Sequence, residues 1–364
     1  MNPAVLPDFP WDSLAEHAAR AREHAGGIVD LSVGTPVDPV PASIRDALAS
    51  VAEIPGYPTT HGTPALRAAV VEALGRRHGV DGLDPDAVLP TIGSKELVAW
   101  LPRLLGAGPG DVVAIPEVSY PTYEVGALLA GATAVRVDGL TALGPARPSM
   151  IWLNSPSNPT GQVLGVEHLR KVVEWARERG TVVVSDECYL ALGWEGEPPV
   201  SVLHPSVHGG RLDGVLAVHS LSKSANLASY RAGFVAGDPA LVAGLLAVRK
   251  HAGMIVPRPV QEAMVAALTD DEALDAQRER YAARRAILRK ALQDNGFRID
   301  HSEAGLYLWV TGDSDALATV RWFADRGILV APGTFYGPSG SRHVRVALTA
   351  TDERVAAAAE RLAV

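Results

Sequence analysis

Between about residues 62 and 268 the chain repeats one pattern: a helical stretch, a turn, then a short run of apolar and β-branched residues. Val112-Val113-Ala114-Ile115, Met150-Ile151-Trp152-Leu153, Thr181-Val182-Val183-Val184 and Val215-Leu216-Ala217-Val218 carry no polar alternation, the mark of a buried strand. Strands of this kind alternating with helices specify an α/β fold built on a mostly parallel sheet. The helices are expected over Pro64 to His78, Ser94 to Leu105, Tyr120 to Ala130, Val166 to Arg179 and Pro239 to Lys250. From Thr269 to Asn295 a charged helix leads into a smaller α+β unit, with strands near Gly305 to Val310, Ile328 to Val330 and His343 to Leu348. The expected division is a large domain over 42–268 and a small one made of 1–41 and 269–364. Gly106-Ala107-Gly108-Pro109-Gly110 is not a dinucleotide fingerprint, because it follows a helix and precedes a strand.

Three of the apolar runs end in residues able to do chemistry. After Met150 to Leu153 comes Asn154-Ser155-Pro156-Ser157-Asn158-Pro159-Thr160-Gly161. After Val182 to Val184 come Ser185-Asp186-Glu187-Cys188-Tyr189, and after Val215 to Val218 come His219-Ser220-Leu221-Ser222-Lys223 with Arg231 eight residues on. Each motif has a plain reading too: a turn, a helix cap, a polar loop. Ser-x-x-Lys also surrounds the nucleophile of β-lactamases, but their Ser-Asp-Asn and Lys-Thr-Gly companions do not occur here. Of the five lysines, Lys171 and Lys290 lie in charged helical patterns and Lys250 suits a helix C-terminus. Lys223 is best placed to reach a cleft and to bond covalently to a carbonyl. The carboxyl ends of strands are where open α/β sheets bind ligands.

In order and spacing these motifs resemble the fold type I pyridoxal-phosphate enzymes, the large class I/II aminotransferase family, over nearly the whole chain from Gly34 to Arg345. The resemblance implies a pyridoxal 5'-phosphate cofactor held covalently by Lys223, which then moves protons. Asp186 would pair with the pyridine nitrogen, and a carboxylate there favours the protonated ring. Asn158 and Tyr189 would face the phenolic oxygen, and Ser220 and Arg231 the phosphate. Gly93, Ser94 and Lys95, at the start of a helix, match the phosphate turn, although Ser94 alone reads equally as an N-cap. Tyr120 would stack on the ring, while Tyr123 reads as core. Arg345 would clamp a substrate α-carboxylate, with Asn158 beside it and Gly34 allowing close backbone approach. Tyr57, which also reads as a turn residue, would reach the partner's cofactor phosphate in a homodimer.

Composition narrows the rest. One cysteine, Cys188, precludes an internal disulfide, and the N-terminus lacks a basic region followed by an apolar core, so a cytoplasmic enzyme is expected. No apolar run approaches the roughly 20 residues of a membrane span. A formal charge of −8 without a basic stripe argues against nucleic-acid partners, and the eleven histidines show no metal-ligand spacing, so no metal is expected.

Every cofactor residue serves transaminases, decarboxylases and carbon–sulfur β-lyases alike. Arg345 implies an α-amino acid. A ligand-sensing regulator of the same fold would carry an appended DNA-binding module, and the chain begins directly with the enzyme-like segment. Pro10-Trp11-Asp12, Asp30 to Pro41, Arg249 to Met254 and Val330 to Gly337 resemble actinobacterial N-succinyldiaminopimelate aminotransferases. That implies transfer between L-glutamate and N-succinyl-2-amino-6-ketopimelate in lysine and diaminopimelate synthesis. Another glutamate-dependent aminotransferase or a β-lyase is the alternative. Arg249, Lys250, His61 and Arg258 are unranked candidates for a distal carboxylate.

Overall fold

A computed structural model describes residues 6–363. Residues 1–5, part of the N-terminus read above for a leader, and Val364 lie outside the described residues. In chain order the strands are β1 (Val29–Asp30), β2 (Val88–Ile92), β3 (Val112–Pro116), β4 (Thr133–Val137), β5 (Met150–Asn154), β6 (Val182–Asp186), β7 (Val215–Ser220) and β8 (Ala232–Gly237). They continue with β9 (Arg298–Asp300), β10 (Tyr307–Thr311), β11 (Ile328–Leu329), β12 (Ala331–Pro332) and β13 (Val344–Ala347).

Seven strands form one sheet in the order β2-β8-β7-β6-β5-β3-β4. All neighbours are parallel except β8, which runs antiparallel to both β7 and β2. Successive side chains of a strand point to opposite faces, so an unbroken apolar run feeds two cores. On one face Ile151, Leu153, Val183 and Ala217 pack against the helices Pro64–His78, Val166–Arg177 and Arg258–Thr269. On the other, Trp152, Val184, Leu216 and Val218 pack against Gly93–Leu104, Thr122–Ala130 and Pro239–Ala252. Each fully buried Val or Leu contributes about 1.5–3 kcal/mol of transfer free energy.

Local chemistry sets the helix ends. Thr63 caps the helix Pro64–His78 by accepting from Leu66 N at 3.1 Å, and Gly79 ends it in the left-handed conformation. The helix expected from Tyr120 starts two residues later, at Thr122, which leaves Tyr120 in the loop after β3.

A second, antiparallel sheet, β12-β13-β10-β9, packs on the long helix Asp271–Asp294 through Leu306, Leu308 and Val346 against Tyr281, Leu288 and Leu292. The N-terminal segment joins this unit. β1 pairs in parallel with β11, and Ala347 N donates to Leu31 O at 2.8 Å. Further along, Asp38 accepts both terminal nitrogens of the buried Arg284, at 2.6 and 2.8 Å. Burial raises the Asp38 carboxyl, but the Arg284 hydrogen bonds and charge outweigh it and the net shift is downward. These ties fix residues 31–38 and so the backbone of Ser32 and Gly34 at the mouth of the large sheet.

Candidate active site

The carboxyl ends of β5, β6 and β7, adjacent in the large sheet, open into a cleft of about 410 Å³. Asn158, Asp186, Tyr189, Ser220, Lys223 and Arg231 all line it, as do Gly34, Ser94, Lys95, Tyr120 and Arg345. Gly93 lies at the head of the adjoining helix. Tyr57 does not line the cleft and is 99% exposed.

Asp186 is the last residue of β6 and is buried. Its carboxylate accepts from Tyr123 Oη at 2.8 Å and from Cys188 N at 3.2 Å. Burial raises its pKa, and the hydrogen bonds from Cys188 and Tyr123 oppose the rise. Asn154 ties the neighbouring loop to it, donating to Asp186 O at 3.0 Å and accepting from Asn158 N at 2.7 Å. Tyr123 is core, as expected, but its hydroxyl also serves the site. Nothing in the local sequence marks that, because the bond spans 63 positions of the chain.

Lys223 is largely buried, and burial lowers its pKa, with Arg345 and Arg231 adding to the fall and Tyr307 and Cys188 opposing it. Its ammonium donates to Gly34 O. A lysine nearer its neutral form at ordinary pH is a better nucleophile.

The opposite wall is an anion cradle. Gly93 has φ 71°, after which the twelve-residue helix Gly93–Leu104 begins. A Cβ on Gly93 would fall 2.3 Å from Arg231 Nη2, so glycine is required for the arginine to reach the helix N-terminus. Arg231 itself holds a left-handed φ of 54°, uncommon for a side-chain-bearing residue and often found at functional sites. It donates to Ala228 O at 2.8 Å and has no carboxylate partner among the described residues. Free helix N–H groups, Ser220 and an unpaired guanidinium fit a phosphate. Tyr120, whose pKa burial raises to about 12, lines the same cleft. Lys95 Nζ sits 6.0 Å from the Tyr120 ring centre and 5.4 Å from that of Phe9.

Arg345, on β13, is 2% exposed. It donates to Asn158 Oδ1 at 3.0 Å and to Ser32 O at 2.6 Å, and lies 3.9 Å from the Tyr307 ring centre. No carboxylate of the described residues pairs with it, and its Nε has no acceptor. A buried cation of this kind is costly unless a ligand supplies the negative charge.

Tyr307 is the cleft residue that the sequence reading passed over. It lies on β10 beneath Arg345, and its hydroxyl is 3.1 Å from that of Tyr189. The available signal was the strand alternation itself, which puts Tyr307 on the face of β10 shared by Trp309. The distal-carboxylate candidates are engaged elsewhere. Arg249 is fully buried and pairs with Glu96 at 3.0 Å, Arg258 pairs with Glu262 at 2.6 Å, and His61 faces Asp86 O at 3.2 Å. Neither these nor Lys250 lines the cleft. A larger cavity of about 500 Å³, between the ends of β3 and β5, is mostly apolar and lacks Lys223, Asp186 and Arg345, so chemistry, not size, marks the site.

A family model described as aminotransferase class I and II matches residues 27–362. The chain is 65% identical to a probable aminotransferase of Mycobacterium tuberculosis, over 99% of this chain and 86% of that protein. It is 57% identical to the 4-dedimethylamino-4-oxo-anhydrotetracycline transaminase OxyQ of Streptomyces rimosus, over 98% and 99% of the two. Among solved structures it resembles a probable N-succinyldiaminopimelate aminotransferase from Thermus thermophilus, with TM-score 0.87, 31% identity, and 97% and 99% of the chains covered. The chain therefore belongs to the class I/II aminotransferases, enzymes of the fold type I architecture that work with pyridoxal 5'-phosphate.

Proposed function

We propose that this aminotransferase moves an amino group between L-glutamate and N-succinyl-2-amino-6-ketopimelate, each in turn occupying the same cleft. The observation that carries an α-amino acid substrate is Arg345, a buried guanidinium with no anionic partner among the described residues. Its two terminal nitrogens suit the α-carboxylate that both substrates share. The second carboxylate falls to Lys95, whose exposed side chain places its ammonium near the Phe9 and Tyr120 rings and forms no ion pair among the described residues. The name of the Thermus relative supports the succinylated acceptor.

When bound, the cofactor supplies an electron sink for carbanion character at the substrate α-carbon. The chain's residues do the rest. Lys223 Nζ would hold the cofactor until the substrate amine displaces it, and once freed would take and return the α-proton. Asp186 would keep a proton on the ring nitrogen, and Asn158 and Tyr189 would donate to the phenolic oxygen. Ser220, Arg231 and the Gly93-Ser94-Lys95 backbone would hold the phosphate, with Tyr120 beside the ring. Tyr57, exposed in the single chain, completes the cradle of a second copy, which makes the working unit a homodimer. Mixing Tyr57→Phe with Lys223→Ala subunits should then restore one intact site per mixed dimer. A fully active monomer in sedimentation would exclude that arrangement.

A second reading draws on the 57% identity to OxyQ, named for 4-dedimethylamino-4-oxo-anhydrotetracycline, a polycyclic ketone. On that reading glutamate remains the donor and the acceptor has no α-carboxylate. The deciding assay measures 2-oxoglutarate formed from glutamate with the succinylated keto acid, with acetylornithine-type semialdehydes and with polycyclic ketones. Preference for a polycyclic ketone would overturn the proposal, as would faster release of pyruvate and ammonia from cystathionine.

A further inference from the structure

Tyr307 has no role in the reading above, yet three of that reading's residues converge on it. Its hydroxyl is 3.1 Å from Tyr189 Oη. A Cβ on Gly34 would lie 2.1 Å from the same oxygen, so the glycine leaves room for this phenol and for nothing larger. The Arg345 guanidinium lies 3.9 Å from its ring centre. The groups facing Tyr307 are Arg345 from β13, Lys223 from the loop after β7, Tyr189 and Cys188 from the loop after β6, and Tyr336, Tyr120 and Tyr281.

The two phenols of the pair differ. Burial raises Tyr189, and Tyr307 beside it raises it further. Burial also pushes Tyr307 upward, but the cations Arg345 and Lys223 and the hydrogen bond with Tyr189 outweigh it and the net shift is downward. At 3.1 Å either hydroxyl could donate, but a phenol has one proton to give. With the proton of Tyr189 given to the cofactor's phenolic oxygen, as assigned above, the proton between the two phenols comes from Tyr307. Donors in a chain strengthen one another in a low-dielectric site.

We propose that Tyr307 is a positioning residue of the reaction: by donating to Tyr189 it strengthens the bond that Tyr189 makes to the cofactor's phenolic oxygen, and so sets the proton affinity of the bound cofactor. This rests on the assignment of Tyr189 above, and the test separates the two. The holoenzyme is titrated with acid and base while the cofactor's visible band is followed. Tyr307→Phe should move the transition upward by about half to one pH unit, because the deprotonated form loses stabilisation. Tyr189→Phe should move it further, and the double variant no further than Tyr189→Phe alone, since Tyr307 acts through Tyr189. If Tyr307→Phe does not hold the cofactor, 3-fluorotyrosine at position 307, equal in shape and more acidic, should move the transition downward.

A transition unmoved by either substitution at 307 overturns the inference, as does an upward shift that adds fully to that of Tyr189→Phe. If Tyr189→Phe shifts the transition and Tyr307→Phe does not, only this inference falls. If Tyr189→Phe also leaves it in place, the assignment of Tyr189 falls first and takes the inference with it.

Discussion

The two walls of the cleft are built on different principles. At the ends of β5, β6 and β7 the groups nearest the cleft are held within the chain: Asp186 accepts from Tyr123 and Cys188, and Asn154 bridges two strand ends, while Ser185 Oγ and His219 Nε2 of the same strands, which form no hydrogen bond, do not line the cleft. The wall made by β10, β13 and the N-terminal segment differs. Arg345 Nε, Tyr336 Oη and Trp11 Nε1 are buried without partners, and Arg345 lies 5.0 and 5.9 Å from the ring centres of Tyr336 and Trp11. A polar group left unpaired in a protein interior costs roughly 1–3 kcal/mol. The first wall holds its cleft-lining carboxylate in place without a ligand, as suits a resident cofactor. The second collects unmet donors, as suits a carboxylate that comes and goes.

The largest expected effect lies on the first wall. Lys223→Ala removes both the covalent anchor and the group that moves the proton, so turnover should drop by several powers of ten; general acid–base catalysis alone is worth about 10²–10⁴. Borohydride treatment of the loaded wild-type protein should fix the cofactor to Lys223, located by peptide mapping. Label on Lys95 or Lys250 would break the assignment of that wall.

Arg345→Ala tests the other wall. A lost charge-assisted bond is worth roughly 1.5–3 kcal/mol, or about ten- to hundredfold in kcat/KM. The loss should appear with every α-amino acid, while cofactor affinity stays near the wild-type value. Loss of the cofactor instead would show that the bond from Arg345 to Asn158 holds both walls together.

The walls also differed in how far the sequence revealed them. The first was legible because strand ends and turn-rich loops are local signals, and Asn158, Asp186 and Lys223 each lie within five residues of the end of an apolar run. The helices Pro64–His78 and Val166–Arg177 were legible for the same reason, from periodicity and Pro or Gly at their ends. What escaped depended on distance along the chain. Tyr123 reads as core because it is core, and only the fold brings Asp186 to its hydroxyl. Arg249 sits in a basic helix end that suggests a surface, yet it turns inward to Glu96, 153 positions away. Tyr307 is one of several apolar-looking residues on a strand, and its place is set by Gly34 and Arg345 from opposite ends of the chain.

Tyr123→Phe gives a finer measure of the first wall. It removes one of the bonds that hold down the Asp186 carboxyl against the upward pull of burial. The proton affinity of Asp186 should therefore rise, and the cofactor should dissociate at a higher pH than from the wild type. A single buried hydrogen bond is worth about 0.5–1.5 kcal/mol, so cofactor affinity at neutral pH should weaken about two- to tenfold. Equilibrium titration of the cofactor-free protein at several pH values checks both statements. An affinity unchanged across the whole range would show that Cys188 N alone sustains the carboxylate.

The smallest effect belongs to Lys95, which stands between the walls. Its backbone belongs to the helix start that cradles phosphate, and its ammonium leans toward Phe9 and Tyr120 over the cleft. Burial, with Arg231 nearby, lowers its pKa, yet it keeps enough solvent contact for added salt to screen it. An exposed or half-exposed ion pair is worth about 0.2–1 kcal/mol. Lys95→Met should therefore raise KM for glutamate and for the succinylated keto acid by about two- to fivefold and leave kcat almost unchanged. The salt dependence of both KM values should flatten in the variant, because the pair that salt weakens is gone. Cofactor affinity decides between the two halves of the residue. If it stays near the wild-type value, the side chain serves the substrate and the backbone the phosphate. If cofactor affinity falls and KM does not change, the ammonium belongs to the phosphate cradle, and the second carboxylate must be met by the partner subunit.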